Sequence, residues 1–376
     1  MIVRMAVTYN VKGLCHVKQS KTVSTLLSVV CLILTGLFLL TSCSGEIDRA
    51  PSSSSSSNSK AAPTAASSQD GSVKTWKFAS LGVGSAWYVY AATLTDVMQK
   101  NDPGLKFDVL PYSGGIGNVL LQAKGDCDIS ISSNITNTWA KNGVMPFKDT
   151  GPNPDLRCLV SVLDEMYVGI VVRNGSGIKS LRDIAEKKMP IHMFTAEKGN
   201  TSEFTAQVVL ASIGITYDDI RKWGGSVEHT DFTSITNAAK DGKVDLFIQQ
   251  VSAGHATFTE LCLTADVQVM QLDQTSLDYM VKNGYSLATL PANSFHKQTS
   301  DVLCASVTSS VNCNASLPDD IAYRMVKAIY ENPQSLAAGH KALAGFKPKL
   351  AGDEAANGGL PIHPGALKYY KEIGIR

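Results

Sequence analysis

The sequence predicts an α/β fold with two similar lobes and a ligand cleft between them. Three observations predict it: strand and helix periodicities alternate along most of the chain, one Gly/Asp pattern occurs twice, and small polar loops open several helices. Strands that are separated by single helices run parallel in right-handed βαβ units. The composition agrees, because 44% hydrophobic and 18% charged residues are typical of a globular protein.

Residues 1–43 have the layout of a bacterial export signal. An uncharged run from Val23 to Leu40 follows four cations, as in a secretory signal, although its length also allows an uncleaved single membrane span. Leu40-Thr41-Ser42-Cys43 resembles a lipobox, in which the cysteine is lipidated and becomes the new N-terminus. We therefore predict a lipoprotein signal segment over 1–43, lipidation at Cys43, and a chain that lies outside the cytoplasmic membrane.

Residues 44–73 are rich in Ser, Ala and Pro and include six consecutive serines, Ser52 to Ser57. Such a stretch buries too little apolar surface to offset the entropy of ordering it. We predict a disordered tether with a root-mean-square reach of about 30 Å.

Charge and cysteine usage limit the partners and cofactors. The net charge of +1 argues against a nucleic-acid partner, and the chain after residue 43 is mildly acidic at −3. Five cysteines follow the signal segment: Cys127, Cys158, Cys262, Cys304 and Cys313. They permit at most two disulfides in an oxidising compartment, with the pairing left open. No Cys-x-x-Cys pair or His-Glu-x-x-His helix occurs, so we predict neither a metal site nor a cofactor.

Segments with strand and helix periodicity alternate from residue 75 onward. In the first half we predict strands over 75–79, 107–111 and 127–132, with helices over 87–100 and 116–123. In the second half we predict helices over 181–187, 202–212 and 232–240, with strands over 190–195 and 244–249.

A Gly/Asp pattern links the two halves. Gly84 precedes the first long helix, and Asp128 follows 44 residues later. Gly199 precedes the counterpart helix, and Asp245 follows 46 residues later. The pattern predicts two similar lobes that face each other, and the alternative is that any two βαβ runs look alike. We predict that Asp128 and Asp245, like Asp126, are turn and cap residues.

Three small polar loops, 82–88, 113–118 and 199–202, open helices at the carboxyl ends of predicted strands, where open α/β sheets bind ligands. Their backbone N–H groups, hydroxyls and helix dipoles suit a carboxylate without a basic side chain. The alternative is that their glycines and serines only cap helices. None is a Walker loop, and the first lacks the third glycine of the dinucleotide fingerprint.

The loops and strand ends supply the candidate ligand-binding residues. They are Gly84, Ser85, Trp87, Tyr88, Ser113, Gly114, Gly115, Asn118, Ser132, Thr201, Ser202, Thr233, Gln249 and His255. For Trp87 and Tyr88, a position in the core is an equal alternative. For His255, the equal alternative is a capping or core role. No nucleophile–base pair is visible, so we predict a protein that is not an enzyme; a secreted enzyme with a cleft active site is the distant alternative.

Four ordered motifs resemble the TAXI family of TRAP-transporter solute receptors. They are Ser176-Gly177-Ile178-Lys179-Ser180; Ile213-Gly214-Ile215-Thr216-Tyr217-Asp218-Asp219-Ile220; Leu317-Pro318-Asp319-Asp320 with Lys327-Ala328 and Glu331-Asn332; and His363-Pro364-Gly365-Ala366 with Tyr369-Tyr370-Lys371-Glu372. The resemblance runs from about residue 78 to 374 and departs near the pocket. Val89 stands where the family has a proline, and Gly254-His255-Ala256 replaces a glycine-proline-like turn.

The resemblance implies a periplasmic-binding-protein type II fold that closes around a small organic anion such as glutamate, glutamine or a dicarboxylate. It also implies delivery of that solute to a sodium-coupled TRAP permease. We place lobe 1 over 74–165 and 300–376 and lobe 2 over 166–299, with crossing strands near Ser161–Val171 and Val302–Asn312. A binding protein of the same fold that serves a sensor or an ATP-driven (ABC) importer is the alternative. The expected location is the periplasmic face of the cell envelope.

Overall fold

The folded body, in a computed structural model that describes residues 73–252 and 254–376, alternates strands and helices as the sequence predicts. The predicted signal segment, the lipidation site Cys43 and the tether up to residue 72 lie outside the described residues. The strands are β1 Thr75–Ala79, β2 Lys106–Leu110, β3 Ile129–Ser133, β4 Leu156–Val160, β5 Glu165–Arg173, β6 His192–Thr195, β7 Ser226–His229, β8 Leu246–Val251, β9 Val267–Val269, β10 Ser286–Leu290 and β11 Val302–Asn314. The helices are α1 Ala86–Asn101, α2 Gly115–Lys124, α3 Asn134–Asn142, α4 Leu181–Glu186, α5 Thr201–Ser212, α6 Tyr217–Lys222, α7 Phe232–Lys240, α8 Ala256–Thr264, α9 Gln274–Lys282, α10 Asp319–Tyr330, α11 Pro333–Gly339 and α12 Pro364–Glu372. Within the described ranges, we find no helix with the length and apolar character that a membrane span requires.

The two lobes have the same strand order. The first sheet runs β2-β1-β3-β11-β4 and the second runs β7-β6-β8-β5-β9. In each sheet the first three strands are parallel, and the fourth, β11 or β5, is antiparallel to them and arrives from the other lobe. This arrangement confirms the predicted fold class, a periplasmic-binding-protein type II fold of two α/β lobes with a cleft between them.

The repeated Gly/Asp pattern has one structural role in both lobes. Asp128 Oδ2 accepts a hydrogen bond from Lys77 N in β1 at 2.9 Å, and Asp245 Oδ2 accepts one from His192 N in β6 at 2.8 Å. Each carboxylate therefore ties the residue that precedes β3 or β8 to the neighbouring strand, β1 or β6. The prediction was that these aspartates are turn and cap residues; their side chains instead bond to the backbone of a neighbouring strand.

Two strands cross between the lobes. β5 enters the second sheet from the connection over residues 161–164. β11 pairs with β5 through Ser306–Thr308 and with β3 through Ser309–Cys313, so this one strand belongs to both sheets. These strands lie where the sequence places the crossings, while the exact lobe boundaries stay a prediction.

Helix α3, which the sequence analysis did not predict, joins the lobes through an aromatic contact. Ser133 caps this helix by accepting a hydrogen bond from the backbone of Thr136. Trp139 in α3 is 1% exposed. Its ring centroid lies 5.2 Å from that of Phe204 and 6.0 Å from that of Tyr285, both edge-on. Since Phe204 and Tyr285 belong to the second lobe, Trp139 is buried by the approach of the two lobes.

All five cysteines of the described residues are free and buried. The number of disulfides formed among them is therefore zero, below the upper limit of two that the sequence allows. Burial raises the pKa of Cys127 to about 12 and the pKa values of Cys262 and Cys304 to about 11. Among residues 73–252 and 254–376, no group of three His, Cys, Asp or Glu side chains is placed to hold a metal ion.

Candidate functional site

The cleft between the lobes contains two adjoining chambers near the carboxyl ends of β1, β6 and β8. The outer chamber, of about 300 Å³, is lined by residues 81–85 of the first lobe and by residues 196, 197, 200, 230–233, 236, 237, 256, 257 and 260 of the second. The inner chamber, of about 40 Å³, is lined by residues 81, 85–87, 90, 166, 200–202, 232, 249, 250, 252 and 255. Both lobes therefore contribute to one site.

Four helices begin at the walls of these chambers: α1, α5, α7 and α8. Each is capped by a side chain that accepts a hydrogen bond from the first helical turn, and the caps are Ser85, Asn200, Asp231 and His255. A helix N-terminus carries about half a positive charge from its aligned peptide dipoles. A carboxylate in the cleft is therefore stabilised without a basic side chain.

Eight of the predicted ligand-binding residues line the chambers. They are Gly84, Ser85, Trp87, Thr201, Ser202, Thr233, Gln249 and His255. Gln249 is 3% exposed, and its Oε1 atom has no hydrogen-bond partner. A buried acceptor without a donor costs about 1–3 kcal/mol, so this oxygen is available to a donor on a ligand.

The predicted loop 113–118 contacts the second lobe instead of lining the chambers. Gly117 N donates to Gly199 O at 3.1 Å, and Gly115 lies directly against the Thr201 side chain. The predicted residues in this contact are Ser113, Gly114 and Gly115. Their small size allows α2 and α5 to approach closely across the cleft.

Three other predicted residues do not line the chambers: Asn118, Ser132 and Tyr88. Asn118 Nδ2 donates to Ile131 O at 2.8 Å and so ties α2 to β3. Ser132 Oγ is buried and accepts from Asn312 Nδ2 at 2.6 Å. Tyr88 is half-buried on α1 and lines neither chamber. Asn118 Nδ2 and Ser132 Oγ therefore make hydrogen bonds inside the first lobe, whereas the buried Asn118 Oδ1 has no hydrogen-bond partner.

Several lining residues were missed by the sequence analysis, among them Tyr90, Met166, Gln250 and Ser252. Gln250 carried a signal, because it follows Gln249 at the polar end of an apolar strand. Its Nε2 donates to Thr205 Oγ1 at 2.9 Å, within the second lobe. Tyr90 and Met166 gave no such signal, since the sequence does not distinguish an apolar residue that lines a chamber from one that lies in the core.

The outer chamber is acidic. Glu197, Asp231 and Glu260 line it, and no lysine or arginine of the described residues lines either chamber. Hydrogen bonds from Ser234 hold the pKa of Asp231 below its usual range, so this carboxylate is ionised at neutral pH. Glu260 is paired with Lys240 at 2.6 Å. The mouth of the cleft therefore suits an ammonium group, in addition to the carboxylate that the helix ends favour.

The sequence pattern of the NMT1-like family matches residues 78–374, which is nearly all of the described chain. The chain belongs to the NMT1-like family. Given this membership and the strand order of both sheets, it has the fold of a periplasmic solute-binding protein.

Three solved structures are similar to this NMT1-like chain in fold. MatC from Rhodopseudomonas palustris with bound malate has a TM-score of 0.49 at 14% identity, covering 80% of this chain and 96% of that one. The alkanesulfonate-binding protein SsuA from Xanthomonas axonopodis pv. citri, bound to MOPS, has a TM-score of 0.40 at 13% identity, covering 76% and 84%. The periplasmic binding protein BugD has a TM-score of 0.45 at 14% identity, covering 80% and 98%.

His255 of the NMT1-like chain lines the inner chamber from the second lobe. Its Nδ1 accepts a hydrogen bond from Phe258 N at 3.5 Å, and its ring lies edge-on to Phe232 with centroids 5.8 Å apart. Burial, and to a smaller extent the nearby His340 of the first lobe, lower the pKa of His255 to about 4. The imidazole is therefore neutral at pH 7, caps α8 and lines the inner chamber.

The free energy of unfolding of this NMT1-like protein is expected to decrease as the pH falls from 6.5 towards 4. His255 has a pKa of about 4 when folded and an ordinary value of 6.5, so in this window the unfolded chain binds a proton that the folded chain does not. The contribution is complete above pH 6.5 and is lost as the pH approaches 4. Urea denaturation of His255→Gln should show a weaker pH dependence, whereas His296→Gln, at an exposed histidine, should behave like wild type. Equal pH dependence in wild type and His255→Gln would contradict this assignment.

Proposed function

We propose that the protein is an extracytoplasmic solute-binding receptor that captures a small amino acid or related organic anion and delivers it to a membrane permease. The observation that carries the proposal is the convergence of four capped helix N-termini on chambers that contain an unpaired buried acceptor, Gln249 Oε1. Neither lobe encloses the chambers alone, so a solute is held by closure of the two lobes around it.

The charges in the cleft favour a zwitterion over a dicarboxylate. The helix N-termini stabilise one carboxylate, and the acidic lining of the outer chamber stabilises an ammonium group. A second carboxylate placed near Glu197 and Asp231 would be repelled, which gives the site a means of rejecting dicarboxylates. A neutral amino acid such as glutamine therefore fits the site better than a dicarboxylate does.

The partner that we propose is a sodium-coupled TRAP permease, with the receptor held at the periplasmic face by a lipid on Cys43. The TAXI-like motifs support this choice of permease, and the lipobox-like sequence supports the anchor. A large multi-spanning permease gene beside the gene for this protein would favour the TRAP system. A neighbouring ATPase gene would favour an ABC importer, and a sensor-kinase gene would favour a signalling role.

A thermal-shift screen of amino acids and organic acids tests the ligand class. A solute at 100 times its Kd should raise the free energy of unfolding by about 2.7 kcal/mol. We expect neutral zwitterions to stabilise the protein more than dicarboxylates at equal concentration. If every amino acid and organic acid leaves the melting temperature unchanged, the proposed ligand class is wrong.

Gln249→Leu is expected to weaken solute binding about 5- to 150-fold without lowering the stability of the unliganded protein. The change removes a hydrogen-bonding group that the solute uses, worth about 1–3 kcal/mol, and it also removes a buried oxygen that is unpaired without solute. Calorimetry measures the affinity and urea denaturation the stability. Gln268→Leu, at an exposed position in β9, is the control and should leave the affinity unchanged. If Gln249→Leu lowers the free energy of unfolding by as much as it lowers the free energy of binding, Gln249 has a structural role.

A further inference from the structure

Asp164 is a buried carboxylate that has no cationic partner among the described residues. It ends the connection between β4 and β5 and is 1% exposed. Its oxygens accept hydrogen bonds from Tyr90 Oη at 2.7 Å and from Ser309 N at 3.2 Å. Burial raises the pKa of Asp164, so keeping this group in the interior costs free energy and calls for a compensating role.

Ser309 lies where β11 passes from one sheet to the other. β11 pairs with β5 up to Thr308 and with β3 from Ser309 onward. Ser309 O accepts a hydrogen bond from Leu163 N at 3.0 Å, and Ser309 Oγ accepts one from Trp87 Nε1 at 3.0 Å. The residues that connect helix α1 to both crossing strands, here named the pivot cluster, are Trp87, Tyr90, Asp164 and Ser309.

The pivot cluster reaches the inner chamber. Trp87 and Tyr90 line the chamber from α1, and Ser252 of the second lobe also lines it. Burial and Asp164 raise the pKa of Tyr90. The Tyr90 hydroxyl donates to Asp164, and the Tyr90 side chain shares the chamber wall with Ser252. A solute in the inner chamber would therefore touch the side chains that hold the crossing strands.

The connection that carries Asp164 is fixed to the first lobe. Val162 has a φ of 54°, a left-handed conformation that is strained for a β-branched residue and persists only where the surroundings enforce it. Val162 O accepts a hydrogen bond from Lys347 N at 3.0 Å, and Ser161 N donates to Ala351 O at 2.8 Å. Because Ser161 and Val162 are both bonded to residues 347–351 of the first lobe, relative motion of the lobes is expected after Asp164, within β5.

We propose that Asp164 is a positioning residue for solute binding, which couples the chamber wall on α1 to the angle between the lobes. It holds α1 through Tyr90 and the second crossing strand through Ser309, so the lobes close about one defined axis. The inference rests on the proposed function, because the coupling serves a cleft that closes on a solute.

Fluorine NMR of the full chain with 5-fluorotryptophan, recorded without solute, tests this inference. Trp139 is buried between the lobes, so its resonance reports on their separation, and Trp139→Phe assigns it. Tyr90→Phe keeps the ring and its contact with His340, at 4.8 Å between centroids, but removes the hydroxyl that donates to Asp164. We expect at least a fivefold larger open population, seen as a second or broadened Trp139 resonance. Asp164→Asn should have the same effect.

Tyr370→Phe is the matched control. Tyr370 Oη also donates one buried hydrogen bond, to Leu159 O at 2.7 Å, but within the first lobe. This variant should lower the melting temperature about as much as Tyr90→Phe does, with an unchanged Trp139 resonance. The inference is overturned if the Trp139 resonances of Tyr90→Phe and Tyr370→Phe are the same. If the Trp139 resonance changes in Tyr90→Phe but wild type binds no solute, the role of Asp164 in holding the lobes is supported. Only the proposed function as a solute receptor is then contradicted.

Discussion

Gly115→Ala is expected to weaken solute binding about 5- to 150-fold and to keep the lobes from closing fully. Gly115 begins α2 where the first lobe approaches α5, and a Cβ atom there would overlap Thr201 Oγ1 across the cleft. An extra carbon in a packed contact costs about 1–3 kcal/mol, and here this cost falls on the closed form alone. Calorimetry measures the affinity.

Removing Thr201 Oγ1, the atom that the new Cβ atom of Gly115→Ala would overlap, should restore binding. The double variant Gly115→Ala/Thr201→Ala is expected to bind as tightly as Thr201→Ala alone. Gly82→Ala is the control, since a Cβ at Gly82 has no heavy atom within 4 Å. With saturating solute, small-angle scattering should show a larger radius of gyration for Gly115→Ala than for wild type and the double variant. Wild-type affinity and a wild-type radius of gyration in Gly115→Ala would mean that the lobes close along a different path.

Trp139→Ala is expected to lower the free energy of unfolding by about 3–5 kcal/mol. The indole is 1% exposed, and its removal leaves a large cavity between α3 and the second lobe. Edge-to-face contacts with Phe204 and Tyr285 add about 0.5–1.5 kcal/mol beyond the buried area. Urea denaturation measures the loss.

A tryptophan outside the contact between the lobes provides the control for Trp139→Ala. Trp223 caps the end of α6 and is half-buried, so Trp223→Ala should cost clearly less than Trp139→Ala. Trp139→Phe should lie between wild type and Trp139→Ala, because it keeps an aromatic ring. If Trp139→Ala lowers the free energy of unfolding by less than about 1 kcal/mol, the contact between the lobes does not depend on Trp139.

The fold was predictable because local signals agreed with one another. The helix predicted over 87–100 is α1, and the helix predicted over 232–240 coincides with α7, since apolar spacing and capping residues mark both. Asp128 and Asp245 marked the repeat because each has the same backbone partner in its lobe. Helix α3 was missed because its sequence, with three asparagines and two threonines, has a low helix propensity.

The site was predictable where a side chain lies at the start of a helix or at the end of a strand that borders the cleft. Ser85 and Ser202 meet this condition, whereas Asn118 lies one turn into α2, where a side chain faces either the cleft or the sheet. Ser132 is satisfied by Asn312, which lies 180 residues away and leaves no local signal. Tyr90 and Asp164 likewise meet only through the tertiary fold.

The five buried thiols bear on how the chain reaches its native state. Thiol–disulfide exchange needs a thiolate near the surface, and burial raises the pKa values of Cys127, Cys262 and Cys304 to about 11 or 12. Once folded, these sulfurs are therefore inert toward oxidoreductases and small-molecule oxidants. The protein should mature without an oxidase or isomerase, and preparations made under reducing and oxidising conditions should be interchangeable.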